Sequence, residues 1–483
     1  MLESQNLAYS YDGKTQILRS VDLQIRQGEV VVLTGLTGSG KSTLAKCLSG
    51  FIPRSIEGEF SGEIIIDGEN SNDYSIAEMS RLVSLVQQDP DSQICTLKVS
   101  DEVAFGPENY EFELKSIEKL VESSLFAVGA SHLHNRNTHT LSGGEKQRLA
   151  IASMLSCQPK YLILDEPSAS LDPKGILLLR KILSQLKDKN VGVLCIEHNL
   201  DAIQPVADRI LSISNGTITD WNQIQIEEQT LTPTPTIVSS KKPLLALEGI
   251  DFSYGSTKVI QDVSMNIYEG EIIALMGGNG SGKTTLVSLL GGLLKPDNGH
   301  VHLGETPISD MDRKNITKRV SVVFQNPNHQ IFERTVWKEQ ILTSQILDNM
   351  CEDSIERSRN LLNSANLGNF VDRNPFSLSH GQKRRLNITS TIAHLPDILL
   401  LDEPFIGQDQ EGKSFILNAI TEIASANGTA LVVTHNPNYA KKHCNRVIFV
   451  ENGSILLDGS PETVLQRLVD IGHSEYSEMG VSS

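Results

Sequence analysis

A chain of 483 residues leaves room for two to four domains, each able to bury its own core. With 39% hydrophobic and 21% charged residues it reads as ordinary globular sequence. No stretch approaches the roughly 18 uninterrupted apolar residues of a membrane-spanning helix, and the opening MLESQNLAYS lacks the basic start and apolar core of a signal peptide. A formal net charge of −17 argues against broad contact with phosphate backbones, so no nucleic acid is expected as a partner. The six cysteines are scattered without C-x-x-C spacing, which argues against a zinc site or disulfide framework and for reduced thiols of a cytosolic protein.

In chain order, Tyr11 comes first, in SYDGK. It lies one strand-length ahead of a glycine-rich loop and reads either as a platform for an adenine ring or as a core or edge tyrosine. Val30–Thr34 is a short apolar run ending in that loop, Gly35–Leu36–Thr37–Gly38–Ser39–Gly40–Lys41–Ser42–Thr43, and Leu44, Cys47 and Leu48 follow at helical spacing. The pattern G-x-x-x-x-G-K-[ST] lets backbone N–H groups curl around phosphate oxygens at a helix N-terminus. The lysine reaches the β/γ-phosphates, and the hydroxyl of Ser42 suits Mg²⁺. Gln88, in LVQQDPDSQI, follows a strand-like run into a Pro-containing loop, and its amide suits Mg²⁺ or a water. Ser142-x-x-Glu145, in LSGGEKQRL, forms a capping box that opens a helix through Gly143 and Gly144. Tyr161–Leu164 is a buried-strand candidate running into Asp165–Glu166. Adjacent acids at a strand end are unfavourable unless a cation resolves the repulsion. Asp165 would order Mg²⁺ water and Glu166 would polarise a water for attack on a γ-phosphate. A further strand candidate, Gly192–Ile196, leads to His198, suited to sensing the γ-phosphate.

The sequence then repeats. Tyr254 stands in FSYGS. The glycine-rich loop returns as Gly277–Gly278–Asn279–Gly280–Ser281–Gly282–Lys283–Thr284–Thr285, with Thr284 as the Mg²⁺ hydroxyl. Gln325 returns in VVFQNPNHQI, Ser379 and Gly381 in LSHGQKRRL, Asp402–Glu403 in ILLLDEP, and His435 in THN. The lysines are 242 residues apart, and the aspartates and the histidines 237 each. In each copy the histidine falls 33 residues after the aspartate, which separates it from a chance core histidine. A period this long means duplicated domains. EEQTLTPTPTIVSSKKP, with alternating Thr and Pro, reads as an extended linker. The division is therefore module one at 1–222, linker 223–243, module two at 244–465, and a frayed C-terminal tail from 466 to 483. Each module reads as α/β.

Glycine-rich loop, glutamine loop, LSGGE/LSHGQ, DEP and histidine, in this order over nearly the whole chain, resemble the ATP-binding cassette ATPases. The resemblance implies two tandem P-loop domains. Each would have a mainly parallel sheet core, an antiparallel β subdomain and a helical signature subdomain. It implies ATP and Mg²⁺ as cofactors, and head-to-tail pairing of the modules within one chain. Site one would combine Tyr11, Lys41, Ser42, Gln88, Asp165, Glu166 and His198 with Ser379 and Gly381. Site two would combine Tyr254, Lys283, Thr284, Gln325, Asp402, Glu403 and His435 with Ser142, Gly143 and Gly144.

QDPDSQI and QNPNHQIF further resemble a stretch of energy-coupling factor importer ATPases, and the fused double ATPase is similar to their thiamine-precursor branch. That resemblance implies integral membrane scaffold and substrate-binding subunits as partners. It also implies a peripheral position at the cytoplasmic face of the cell membrane. A soluble twin-cassette translation factor and the double ATPase of a sugar importer stand as alternatives. The short Thr/Pro-rich linker and the net charge of −17 weigh against the first, and the glutamine loops against the second. In the second copy His380 replaces a signature glycine. If that position needs positive φ, histidine costs about 1 kcal/mol, and site one is expected to turn over more slowly than site two.

Overall fold

The computed structural model describes residues 1–169, 171–198, 200–221 and 242–477. The chain forms two compact units, one on each side of the undescribed stretch 222–241. The expected linker therefore falls almost wholly outside the described residues, as do Ser170 and Asn199.

In the first unit β1 (Leu2–Ser10), β2 (Gln16–Ile25), β4 (Glu59–Ile66) and β5 (Glu69–Asn70) make an antiparallel sheet in the order β2-β1-β4-β5. A second sheet runs β10-β9-β3-β8-β7-β6. It uses β3 (Val30–Thr34), β6 (Val83–Val86), β7 (Tyr161–Asp165), β8 (Gly192–Ile196), β9 (Arg209–Ser214) and β10 (Thr217–Asp220). All its pairings are parallel except β9 with β10. VVVLT and YLILD are continuous apolar runs because these strands are covered on both faces. Val30, Val32, Leu162 and Leu164 face one core, built with helices Leu114–Ala127, Gly143–Leu155 and Pro173–Asp188. Val31, Leu33 and Ile163 face the other, shared with the antiparallel sheet and helix Lys41–Leu48. Each fully buried Val, Leu or Ile contributes about 1.5–3 kcal/mol against exposure. Helix Leu114–Ala127 shows the same logic at helical period, burying Ile117, Val121, Ser124 and Leu125.

The second unit repeats the plan. Its antiparallel sheet is β12-β11-β14-β15, from β11 (Leu245–Tyr254), β12 (Thr257–Ile267), β14 (Asn298–Leu303) and β15 (Thr306–Pro307). Its mainly parallel sheet is β16-β17-β18-β13-β19-β20. The strands are β13 (Ile272–Met276), β16 (Val320–Val323), β17 (Ile398–Asp402), β18 (Thr429–Val433), β19 (Arg446–Glu451) and β20 (Ser454–Gly459).

Register places the chemistry. Leu33 and Asp165 both pair with Ile196, and Val86 pairs with Leu164. The loops after β3, β6, β7 and β8 thus leave one edge of the sheet together. In the second unit Leu275 and Asp402 both pair with Val433, and Val323 with Leu401.

The expected tail needs correction. Helix Pro461–Asp470, capped by Ser460, crosses the boundary drawn at 465. Beyond it Tyr476 is only 2% exposed, its ring edge-on to Phe449 at 5.1 Å. A buried aromatic anchors this segment, and Leu468 and Tyr476 join the second unit's core, so residues 466–477 belong to the second unit. All six cysteines are free thiols, four of them buried. Among the described residues no helix is long and apolar enough to cross a membrane.

Candidate functional site

Between β3 and helix Lys41–Leu48 the chain turns through left-handed glycines. Gly40 has φ 106° and Gly282 φ 104°. At Gly35 a Cβ would meet the Ile213 carbonyl oxygen at 2.3 Å, and at Gly277 the Val450 carbonyl oxygen at 2.2 Å. Neighbouring strands therefore fix these glycines, whereas Gly38 and Gly280 border open space. Lys41 Nζ donates to the carbonyls of Gly35 and Leu36, both at 2.8 Å. Lys283 Nζ donates to Gly277 at 3.0 Å and Gly278 at 2.7 Å. Each ammonium is thus held within the curl of its own loop, beside helix N-terminal amides that favour an anion.

Asp165 and Asp402 end β7 and β17, almost wholly buried. Thr284 Oγ1 donates to Asp402 Oδ2 at 2.8 Å, and Ser42 bonds Asp165 in the same way. Burial raises both carboxyls, Asp402 to about 6, with the hydroxyl bonds acting against it. In both aspartates Oδ1 is buried without a hydrogen-bond partner. An orphaned carboxylate oxygen beside a hydroxyl is a donor set that fits Mg²⁺, which takes few protein ligands and completes its shell with phosphate and water. Ser42 with Asp165, and Thr284 with Asp402, would hold it. Bound there, the ion would neutralise charge on the transferring phosphoryl group.

This geometry has a measurable sign. A carboxyl raised by burial stabilises the fold fully at low pH and loses that contribution as pH rises through about 6. Asp402→Asn should therefore melt a few degrees above the parent at neutral pH in metal-free buffer, with the gap closing in acid. Calorimetry across pH checks it.

Glu166 and Glu403 follow at φ 51° and 49°, left-handed for residues that pay for that conformation. Ile196 O accepts from the Glu166 backbone N–H at 2.9 Å and fixes the first of them. Each carboxylate has two side-chain donors. Gln88 Nε2 lies 2.7 Å from Glu166 Oε2, and His198 Nε2 lies 3.2 Å from Oε1. Gln325 Nε2 lies 3.1 Å from Glu403 Oε2, and His435 Nε2 lies 2.8 Å from Oε1. Burial would raise both carboxyls, but the histidine contacts and the lysine charges outweigh it and hold them below the usual range. An ionised carboxylate at this edge can orient and polarise a water. The glutamines commit their amide nitrogens to the glutamates, and Oε1 is the atom suited to a cation.

Tyr11 and Tyr254 are half exposed, each braced edge-on by a neighbour, Tyr9 at 4.8 Å and Phe252 at 4.9 Å. Tyr11 Oη lies 3.3 Å from Thr43 Oγ1, which sets the ring beside the phosphate-loop helix. The signature residues stand on separate elements of their own units. Ser142 caps helix Gly143–Leu155 in a reciprocal box with Glu145, and Ser379 caps helix His380–Ile392 with Gln382. Gly144 and Gly381 are buried under those first turns. A Cβ at Gly381 would sit 2.9 Å from the Gly407 carbonyl oxygen.

The strain expected at His380 is not there. His380 is the first residue of its helix and has no positive φ, so the substitution costs no left-handed strain. The ground given for a slower site one falls with it.

Sequence reasoning missed several residues. Glu197, 2% exposed, accepts from the Ser168 N–H at 2.9 Å and braces the loop after DEP. Gln93 and Gln330 clamp the glutamine loops. Gln93 accepts from Gln87 N–H and donates to Leu85 O, and Gln330 repeats this with Phe324 and Val322. Gln408 Nε2 donates to Gly381 O at 3.2 Å. Arg384, on the helix opened by Ser379, is fully buried. The second glutamine of Q-x-P-x-x-Q was the visible signal for the clamps. A buried arginine inside a signature helix carries none.

Known proteins match this arrangement. The family model described as "ABC transporter" covers residues 18–169 and 260–406. A Bacillus subtilis strain 168 protein named "Putative HMP/thiamine import ATP-binding protein YkoD" is 31% identical over 97% of this chain and 93% of its own length. A Treponema denticola "Putative ABC transporter ATP-binding protein" is 33% identical over 94% and 96%. A solved structure, "Model of ribosome-bound archaeal Pelota and ABCE1", shares the fold with a TM-score of 0.70 at 22% identity, over 94% of this chain and 79% of that one. With phosphate loop, paired acids and histidine built twice and the family model matching both halves, the chain belongs to the ABC transporter family and carries two of its ATP-hydrolysing domains.

Proposed function

We propose that the chain is the energy-coupling ATPase of a membrane importer of the energy-coupling factor type, with a vitamin, a vitamin precursor or a transition metal as cargo. The glutamine loop carries this reading. In both units Gln93 or Gln330 returns to its own strand and stiffens the loop that begins at the glutamine touching the catalytic glutamate. Lys146 ties Asp91 to the first unit's signature helix, and Lys383 reaches Asn328 at 3.1 Å in the second. A push on such a loop is passed both to the glutamate and to the signature, as coupling to a membrane partner requires. The import function in the name of the Bacillus subtilis relative points the same way.

In this reading ATP with Mg²⁺ binds each module, the first at 1–222 and the second from 244 through helix Pro461–Asp470 to 477, joined by 223–243. Glu166 and Glu403 activate water, Gln88 and Gln325 hold Mg²⁺ or position that water, His198 and His435 sense the γ-phosphate, and each signature serves the ATP held by the other module. The partners are integral scaffold and substrate-binding subunits, and the chain sits peripherally at the cytoplasmic face of the membrane. Fractionation of cells expressing the chain at native level tests this. It should pellet with membranes and co-purify with integral membrane proteins. Sedimentation with ribosomes would replace it with the translation-factor alternative.

A further inference from the structure

The two units place different residues beneath otherwise equivalent machinery. Arg384, on the helix opened by Ser379, is 1% exposed. Its Nη1 donates to the Glu403 carbonyl at 2.8 Å and to the Asp402 carbonyl at 3.3 Å, and Nη2 donates to the Gln325 carbonyl. One guanidinium therefore joins the end of β17, the left-handed glutamate and the glutamine loop to the signature helix. The same glutamine and glutamate are joined a second time through side chains, Gln325 Nε2 to Glu403 Oε2 at 3.1 Å. Backbone and side chain are thus tethered independently.

At the repeat offset of 237, the first unit has Gln147 in the position of Arg384. Gln147 is 3% exposed and its Nε2 has no hydrogen-bond partner. Among the described residues, the side-chain bond alone joins Gln88 to Glu166 there. Taking a cation out of water is costly, and the carbonyl acceptors offset only part of that cost. Burial lowers Arg384, to about 10, with the nearby Asp402 and Glu403 charges opposing it. The guanidinium Nε is itself unpartnered, so the residue is not explained by full satisfaction of its own donors.

We infer that Arg384 is a positioning residue for ATP hydrolysis in the second unit, fixing the Gln325 loop and the Glu403 backbone in their working arrangement, a fixture without a counterpart among the described residues of the first unit. The inference rests on Glu403 and Gln325 acting on ATP as proposed above.

The test uses the full chain with Glu166→Gln, so that remaining turnover reports the second unit. Arg384→Gln, which installs the first unit's own residue, should lower kcat about tenfold or more while KM for ATP moves less than about twofold. Hydrogen exchange of the segment containing Gln325 should quicken, and that of the segment containing Gln88 should not. Arg384→Lys keeps the charge but cannot span three carbonyls, and should recover only part of kcat. If Arg384→Gln does not fold, the lysine variant decides, and full kcat with unchanged exchange at Gln325 overturns the inference. Retained kcat in Arg384→Gln also overturns it, as does a loss in which kcat and KM change together without faster exchange at Gln325. Glu403→Gln in the same background separates the two levels. If it leaves turnover intact, the assignment of Glu403 fails and takes this inference with it. If it abolishes turnover while Arg384→Gln does not lower it, only the inference fails.

Discussion

Replacing Glu166 and Glu403 together by glutamine should cut steady-state ATP hydrolysis by on the order of 10²–10⁴-fold while MgATP binding persists. Each carboxylate is partly buried, ionised and held by a glutamine amide on one oxygen and a histidine on the other. An amide fits the same space but cannot take a proton from water. It also turns a donor toward either the glutamine or the histidine, loosening the contact that would report the γ-phosphate. Neither Glu166 nor Glu403 holds the phosphate loop, so binding should survive. Phosphate release and equilibrium binding of ATP, measured side by side, check it. The single variants are informative too. His380 supplies no strain to make the sites unequal, so unequal losses would point to Arg384 against Gln147.

Lys41→Ala combined with Lys283→Ala should abolish ATP binding. Each ammonium makes two bonds to loop carbonyls and is almost fully buried, so it both shapes the loop and supplies the charge that a triphosphate meets. A ligand at a hundred times its Kd stabilises a protein by about 2.7 kcal/mol. The rise in melting temperature that ATP gives the parent should therefore vanish in the double variant. If ATP still raised its melting temperature, phosphate loops would not be the nucleotide site, and the assignment of both modules would fail.

How far the sequence could be read depends on what makes each feature. The parallel strands were visible because burial on both faces demands unbroken apolar runs such as VVVLT and ILLLD. The phosphate loops and capping boxes were visible because only certain residues tolerate left-handed turns or return a bond to a helix end. The grouping of Gln88, Glu166 and His198 in one unit, and of Gln325, Glu403 and His435 in the other, was implied by the resemblance to the ATP-binding cassette ATPases. What escaped was contact between elements far apart in the chain. Arg384 reaches the Gln325 and Glu403 carbonyls, Gln408 reaches Gly381, and nothing local in LSHGQKRRL or FIGQD announces either. The tail was misread for a related reason. The stretch from His473 is polar enough to look unanchored, yet Tyr476, packed on Phe449, secures it as far as Ser477 among the described residues. The φ assumption at His380 failed because the signature's first turn is already helical there.

The left-handed backbone at Glu166 and Glu403 has one more consequence. Glycine or asparagine would occupy these two positions more comfortably, so the fold alone favours losing the carboxylates. A population of variants sorted only for abundance should drift toward Gly or Asn there, and one sorted for turnover should hold Glu. These positions mark a trade-off between stability and activity.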